Sequence, residues 1–296
     1  GQEQVDFLKS RFMQMQKHHF FEDMAYTEDR EQIREWAPLL LEGRDQTPLA
    51  VTKMERGTDI NYGTLSAKLI EWLGRQEGCG YATSHRITNL TKEGASWRVE
   101  VKDLTTKERL STKAKFVFIG AGGGSLPLLQ KSGIKESKGF GGFPIGGQWL
   151  ISDKPEIVNK HLAKVYGLSP GAAPTMAVPH LDTRIIDGKK SILFGPYAAW
   201  TSKFLHVEGK LTDLPCSIRT DNIASLIKVG LYNVPLVRYL IQQGTQSMKT
   251  RMKELKAFFP DAREEDWRLI NAGIRVQAIK KEDGDAGIVH FGTEVL

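Results

Sequence analysis

The stretch MAVPHLDTRIIDGKKSILFGPYAAWTSKFL, residues 176–205, is the most informative part of this sequence. Asp187-Gly188 separates two runs rich in β-forming residues, and this dipeptide is a strong signal for a two-residue hairpin turn. The hairpin would place the strand that carries Arg184 beside the strand that leads to Lys203. His180 lies near the start of the same segment. The stretch therefore predicts a hairpin that brings an imidazole near two cations.

This grouping suits the oxidation of a small hydroxy acid that carries carboxylates. Cationic side chains bind carboxylates, and an imidazole can accept the hydroxyl proton as hydride leaves. His180 is the candidate base because the ordinary pKa of histidine lies near neutrality. The alternative is that Arg184 and Lys203 are solvated surface charges and that His180 is a hydrogen-bonded loop residue. The residues of this segment leave both interpretations open.

The composition of the 296 residues is that of an ordinary globular protein, with 40% hydrophobic and 26% charged residues. The net charge of +6 suits an acidic substrate or an anionic membrane face, and no nucleic-acid-binding signature is present. Two cysteines define neither a disulfide framework nor a metal site. No apolar run is long enough to span a membrane, and no signal peptide is visible. The sequence therefore favours a reducing compartment and predicts no metal.

The first half of the chain predicts helices followed by a meander of antiparallel strands. Amphipathic periodicity predicts helices over 4–16 and 61–73, and strand patterns cover 81–90, 96–104 and 110–119. The run Phe116–Ile119 is continuously apolar, as in a strand that is buried on both faces. The chain is thus predicted to be α+β. The texture of the sequence changes near residue 145, so we expect two domains, over 1–145 and 146–296.

The second half predicts strands separated by a helical region. Strand patterns cover 148–151, 163–168, 183–186, 191–194, 274–279 and 288–291, and helices cover 221–257 with a break at Asn233-Val-Pro235. The helices near Ile223–Ile241 are rich in apolar residues, which suits either core packing or contact with a membrane. Core packing is the favoured prediction, because amphipathic helices usually bury their apolar face.

A glycine-rich turn, GAGGGS at residues 120–125, follows the apolar run and precedes a short predicted helix. Glycines let the backbone approach a flat cofactor or a phosphate, and a helix N-terminus presents N–H groups to an anion. The spacing is not that of a complete dinucleotide fingerprint, because no strand ending in an acidic residue follows at the required distance. The turn is predicted either to flank a cofactor or to be a tight strand-to-helix connection. The candidate cofactor residues are Gly120, Gly122, Gly123, Gly124 and Ser125.

Five stretches of this sequence resemble the malate:quinone oxidoreductase family, whose members are flavoproteins of the D-amino-acid-oxidase-like group. The PHLDTR and FGPYA segments, at 179–184 and 194–198, are specific to that family rather than to flavoproteins in general. The family's N-terminal GxGxxG unit and its C-terminal flavin-closing segment have no counterpart here, so the resemblance implies an internal fragment. PHLDTR and FGPYA both lie in one matching stretch, 161–205, and the resemblance implies a partial flavin domain over 1–145 and a substrate domain over 146–296. The other four matching stretches are GTDINYGTLSAKLIEWL (57–73), KFVFIGAGGGSLPLLQKSGI (115–134), GFPIGGQWL (142–150) and DWRLINAGIRVQAIKK (266–281).

The resemblance implies oxidation of malate to oxaloacetate with FAD as hydride acceptor and a membrane quinone as electron acceptor. It implies a peripheral protein on the cytoplasmic face of the cell membrane, and a fragment that binds FAD weakly or not at all. Two alternatives remain: a flavin oxidase of another 2-hydroxy or 2-amino acid, and an inactive, cofactor-free fragment. The expected site residues are His180 as base and, for substrate binding, Arg184, Lys203, Arg275, Gln277 and Gln148.

Overall fold

The computed structural model describes residues 1–167 and 178–280. Side-chain caps define where several helices begin. The Asp29 carboxylate accepts the backbone N–H of Glu31 at the start of the helix Arg30–Trp36, and the Ser247 hydroxyl accepts the N–H of Thr250 at the start of the helix Met248–Phe258. The helices in the described ranges are α1 (Gln2–Met15), α2 (Arg30–Trp36), α3 (Tyr62–Gly74), α4 (Ser125–Ser132), α5 (Pro155–Val158), α6 (Asp213–Ser217), α7 (Ile223–Tyr232), α8 (Val234–Gly244) and α9 (Met248–Phe258).

The strands form three sheets, ordered β1-β2, β3-β4-β5 and β10-β6-β9-β8-β7. The pairs β1-β2, β3-β4, β4-β5, β7-β8 and β8-β9 are antiparallel. This combination of helices with antiparallel sheets confirms the α+β prediction. The strands are β1 (Ala25–Thr27), β2 (Val51–Lys53), β3 (His85–Glu93), β4 (Ser96–Asp103), β5 (Arg109–Ala114), β6 (Gly141–Ser152), β7 (Lys164–Tyr166), β8 (His180–Ile186), β9 (Lys189–Trp200) and β10 (Arg268–Ile279).

The chain divides into two compact units, each assembled from separate stretches of sequence. Within the described residues, the first unit contains 1–69, 148–167, 178–197 and 246–270. The second contains 70–147, 198–245 and 271–280. One exchange between units falls at Gly147 and Gln148, close to the predicted boundary at 145. The contiguous domains 1–145 and 146–296 differ from these interleaved units and stay a prediction.

The core of the first unit gathers residues that are far apart in the sequence. Leu39, Leu150 and Leu255 are completely buried, and they belong to one cluster together with Trp267. Strands β8 and β9 contribute residues to this cluster because alternate side chains of a strand point to the same face. The remaining members are Ile157, Val158, Leu181, Ile192, Phe194, Tyr197, Met252, Phe259 and Ala262.

The Asp187-Gly188 turn forms the hairpin that the sequence predicts. Ile186 pairs with Lys189, so the turn contains two central residues between β8 and β9. Both central residues have positive φ, 51° for Asp187 and 76° for Gly188, as a type I′ turn requires. The register of β8 against β9 is therefore set by local sequence.

The predicted meander is present in the second unit, but its third strand ends earlier than expected. Strand β5 ends at Ala114, and Phe116–Ile119 is irregular rather than a strand buried on both faces. Phe116 and Phe118 are 78% and 85% exposed. The prediction of a buried strand was therefore wrong, because no strand of the described residues pairs with this run. An apolar run acquires strand structure from its hydrogen-bonded neighbours.

The prediction that α7 packs in the core was wrong for much of that helix. Its apolar residues lie on two faces, of which one is buried and the other is exposed. Val229 and Ser225 are buried, whereas Ile227 and Leu231 are exposed. Helix α3 has no buried residue, although its apolar periodicity is as predicted. No helix in the described ranges is both long enough and apolar enough to cross a membrane.

Candidate active site

One face of β8 brings together three polar residues of the PHLDTR segment. His180, Asp182 and Arg184 alternate along the strand, so their side chains lie on the same face. In the antiparallel register, Lys164 of β7 is opposite Asp182, and Tyr166 is opposite His180. The neighbouring strand thus adds a second cation and an aromatic ring. All five residues belong to the first unit.

Asp182 is the buried centre of this group, with 3% of its side chain exposed. Its Oδ2 atom lies 3.1 Å from Nε of Arg184 and 3.3 Å from Nζ of Lys164. The Nε2 atom of His180 lies 3.9 Å from the same oxygen, which is too far for a hydrogen bond. A buried carboxylate without cationic partners would be costly, so the two cations compensate its charge.

The hydrogen bonding of His180 fixes which ring nitrogen can accept a proton. Nδ1 lies 3.1 Å from the carbonyl oxygen of Val178, and because a carbonyl oxygen can only accept, Nδ1 carries the hydrogen. Burial lowers the pKa of His180, the bond to Val178 opposes that change, and the Lys164 charge lowers the pKa further. The ring is therefore neutral near pH 7, and its Nε2 atom is the proton acceptor.

Two aromatic rings hold the imidazole of His180 in place. The Trp149 ring meets it edge-on at 4.9 Å between centroids, and the Tyr166 ring is tilted against it at 4.8 Å. Aromatic pairs prefer such edge and tilted arrangements at this spacing. The contacts restrict rotation of the imidazole, so that Nε2 keeps its direction.

Arg184 is bound by two carboxylates of the protein. Its Nη1 atom donates to Asp59, and its Nε atom is paired with Asp182. Asp59 also accepts the backbone N–H of Ile185 at 2.9 Å, which fixes its position. Burial, the largest influence, lowers the pKa of Arg184, but the bond to Asp59 and the charges of both carboxylates together raise it. The guanidinium is a fixed cation.

Gln148 is a polar residue of β6 whose amide has a defined orientation. Its Oε1 atom accepts from Nη2 of Arg251 at 2.9 Å. The Arg251 guanidinium lies over the Tyr197 ring, 4.6 Å from its centroid, and the Tyr197 hydroxyl donates to the Arg251 carbonyl. Arg251, in α9, is buried, and burial lowers its pKa. Because the ordinary pKa of arginine lies far above 7, the Arg251 side chain remains a cation. The amide of Gln148 is thus oriented by a buried cation.

The other three predicted substrate ligands belong to the second unit. Lys203 is half-buried and lies in the loop after β9, where its backbone N–H donates to Thr201 Oγ1. Arg275 and Gln277 are two residues apart on β10, so they share one face of that strand. Gln277 is buried, so its side chain does not face water.

The glycine-rich turn connects to α4 as predicted, and one of its glycines is explained by packing. A Cβ atom at Gly123 would lie 1.9 Å from the carbonyl oxygen of Phe204, so only glycine fits there. Gly122 has a φ of 53°, which also favours glycine. The hydroxyl of Ser125 accepts the N–H of Ala121 and so closes the turn.

Open space lies beside part of the glycine-rich turn. Side chains would meet open space at Gly122 and only ordinary contacts at Gly124, so this surface can accept a flat group. The sequence contains no GxGxxG segment to hold a pyrophosphate. These residues could border one edge of a flat cofactor, but they could not hold a pyrophosphate. In the described ranges, no group of three potential ligands could hold a metal.

A family model described as malate:quinone oxidoreductase matches residues 1–296. The chain belongs to this family. It is 50% identical over 297 residues to probable malate:quinone oxidoreductase 2 of Pseudomonas aeruginosa, covering 100% of this chain and 58% of the relative. It is 51% identical over 293 residues to the probable enzyme of Helicobacter hepaticus, covering 99% and 59% respectively. The chain thus spans less than two thirds of the length of these relatives.

A solved structure supports the fold. The glycerol-3-phosphate dehydrogenase of Bacillus halodurans, a structure complexed with FAD, gives a TM-score of 0.51 at 15% sequence identity. The match covers 89% of this chain and 43% of the other. At this identity the likeness concerns the fold alone. The family resemblance read from PHLDTR and the other matching segments is confirmed.

Sequence reasoning missed several residues of the site. Asp59, Lys164, Trp149 and Arg251 contact the predicted residues but were not predicted to do so. Asp59 lies in the GTDINYG segment, one of the stretches that carry the family resemblance. The presence of an acidic residue in that stretch was the one sequence signal that could have indicated a partner for a cationic site residue. Lys164 could have been inferred once β7 was paired with β8.

Proposed function

We propose that the protein to which these 296 residues belong oxidises malate to oxaloacetate, with FAD as cofactor and a membrane quinone as electron acceptor. The observation that carries the proposal is the neutral His180 imidazole, whose unprotonated Nε2 lies on the strand face that also carries the fixed cation Arg184. Family membership supports the same reaction. We place this activity at the cytoplasmic face of the membrane.

His180 is the proposed general base. The Nε2 atom would take the proton of the malate hydroxyl, and Asp182, 3.9 Å away, would then stabilise the imidazolium. The hydrogen bond from Nδ1 to Val178 is unchanged by this proton transfer. When bound, FAD supplies the acceptor for the hydride from the substrate carbon. Gly120, Gly122, Gly123, Gly124 and Ser125 are the proposed flank of its site.

The cationic residues are proposed to bind the two malate carboxylates. Asp59 and Asp182 already bind the Arg184 guanidinium. Arg184 would therefore offer the substrate a cation of fixed orientation, and its N–H donors would be shared between these two carboxylates and the substrate. Lys203 and Arg275 are further candidates for the carboxylates. Gln148 and Gln277 are candidates for polar contacts with the substrate. Arginine suits planar, bidentate carboxylate contacts.

The test measures malate-dependent reduction of a soluble quinone analogue by a polypeptide of the length of its relatives that contains these residues and is loaded with FAD. His180→Gln is expected to lower kcat by about 10²–10⁴, the usual contribution of a general base. His206→Gln, at an exposed position, is the matched control and is expected to leave kcat unchanged. An unaffected kcat in His180→Gln would refute the role of His180.

A second pair of variants tests carboxylate binding. Arg275→Lys is expected to raise KM for malate, because losing a bidentate charge-assisted contact costs about 1.5–3 kcal/mol, or roughly 10- to 150-fold. Flavin binding should not change. Arg268→Lys at an exposed position of β10 is the control. Malate-dependent peroxide formation without quinone reduction would favour an oxidase. A colourless preparation of the 296-residue chain that fails to take up FAD would favour an inactive fragment.

A further inference from the structure

The hairpin of α7 and α8 in the second unit is packed on one side only. On its inner side, Val229 is buried, and Leu226 is so close to Gly141 that a Cβ atom there would lie 3.0 Å from the leucine. Gly244 of α8 approaches Trp200 closely, with 2.3 Å between an added Cβ and the indole Cδ1. The inner side is therefore held firmly, and the hairpin cannot simply turn its other side inward.

The outer side of α7 is a stripe of exposed aliphatic residues. Ile223, Ile227 and Leu231 are spaced four residues apart and are 46%, 57% and 69% exposed. The stripe continues into α8 with exposed Val234 and Ile241. Residues at intervals of three and four lie on one side of a helix. The hairpin is thus apolar on the face that it presents to its surroundings as well as on the face that it buries.

The charged residues of the hairpin itself all have one sign. Residues 222–245 contain no aspartate or glutamate, and their two cations are Lys228 and Arg238. Lys228 of α7 and Arg238 of α8 are both exposed. Long cationic side chains can lay their stems along apolar surface while the charged end reaches polar groups. An exposed apolar stripe edged by cations matches the chemistry of an anionic lipid surface.

We propose that the α7–α8 hairpin is the segment that docks on the membrane, with the stripe of Ile223, Ile227 and Leu231 inserted among lipid headgroups. The inference rests on the proposed function, since a membrane quinone must be reached from the bilayer. A second copy of the chain fits this face less well. A symmetric dimer through the hairpin would bring Lys228 and Arg238 of one copy close to the same two residues of the other copy, and like charges oppose association.

The experiment uses the 296-residue chain and sedimentation with vesicles of phosphatidylglycerol and phosphatidylcholine. The double variant Ile227→Glu with Leu231→Glu is expected to lower vesicle partitioning by at least about tenfold, because it removes inserted apolar area and adds repulsion from anionic lipid. The matched control is Leu65→Glu with Leu69→Glu on α3, two positions that are also exposed and apolar. The control is expected to partition like the parent chain. Circular dichroism confirms that each variant is folded.

Three results would overturn the proposal. The first is a parent chain that does not sediment with anionic vesicles. The second is an equal loss of binding in the α3 control, which would indicate unspecific adhesion of apolar surface. The third is a dimer in sedimentation velocity that the α7 substitutions dissociate, because a second copy would then cover the stripe. Vesicle binding requires neither malate nor FAD, so this test can fail while the quinone-reduction test succeeds, and the reverse.

Discussion

Replacing Asp182 by asparagine should destabilise the chain much more than replacing an exposed aspartate that also pairs with an arginine. The substitution keeps the shape of the side chain and removes its charge from a buried position next to Arg184 and Lys164. Removing one partner of a buried ion pair typically costs about 3–5 kcal/mol. Here Arg184 keeps its bond to Asp59, and Lys164 is partly exposed and can turn to water. We therefore expect a loss of about 2–3 kcal/mol.

The assay is urea unfolding at pH 7, followed by fluorescence and circular dichroism, with the midpoint and slope compared between variants. The matched control is Asp153→Asn. Asp153 lies 3.2 Å from Arg268, and both side chains are more than half exposed. Exposed pairs of this kind contribute about 0–1 kcal/mol, so the control should unfold close to the parent chain. If Asp182→Asn and Asp153→Asn differ by less than about 1 kcal/mol, Asp182 is not the compensated buried charge described here.

Two further predictions concern positions away from the β8 face. Burial lowers the pKa of His161 to about 4, so between about pH 6.5 and 4 the unfolded chain binds more protons than the folded chain. As the pH is lowered through this range, the free energy of unfolding should fall by up to about 1.4 kcal/mol per pH unit. His161→Gln should remove that part of the pH dependence in denaturation at pH 7, 6 and 5, whereas His206→Gln should retain it. Gly123→Ala should cost about 1–3 kcal/mol through its clash with the Phe204 carbonyl, while Gly124→Ala, whose Cβ has nothing closer than 3.6 Å, should cost less; equal midpoints would contradict this packing.

Features that depend on neighbouring residues could be predicted from the sequence. The Asp187-Gly188 turn has its geometry because aspartate and glycine tolerate positive φ, and the turn then sets the register of β8 and β9. Alternation along β8 puts His180 and Arg184 on one face, but the sequence predicted this strand only from residue 183, three residues after it begins. The hairpin and the polar face of the candidate site are therefore encoded locally.

Features that depend on distant partners could not be predicted in this way. Asp59 binds Arg184 across 125 residues of sequence, and no spacing rule connects them. The Phe116–Ile119 run has the composition of a buried strand, but strand structure requires a paired neighbour that the run itself does not specify. For Ile227, periodicity shows which residues share a helix face, yet it does not show which of two apolar faces is covered.

The core of the first unit also limits the order in which the protein can fold during synthesis. Leu39 leaves the ribosome about 230 residues before Trp267, with which it shares a buried cluster. At typical translation speeds, that interval is roughly 10–50 s, during which Leu39 has only part of its final surroundings. Cluster members in β8 and β9 must wait for α9 in the same way. Chains released before residue 267 would expose these surfaces, so we expect premature termination to yield aggregates or chaperone clients rather than a smaller folded protein.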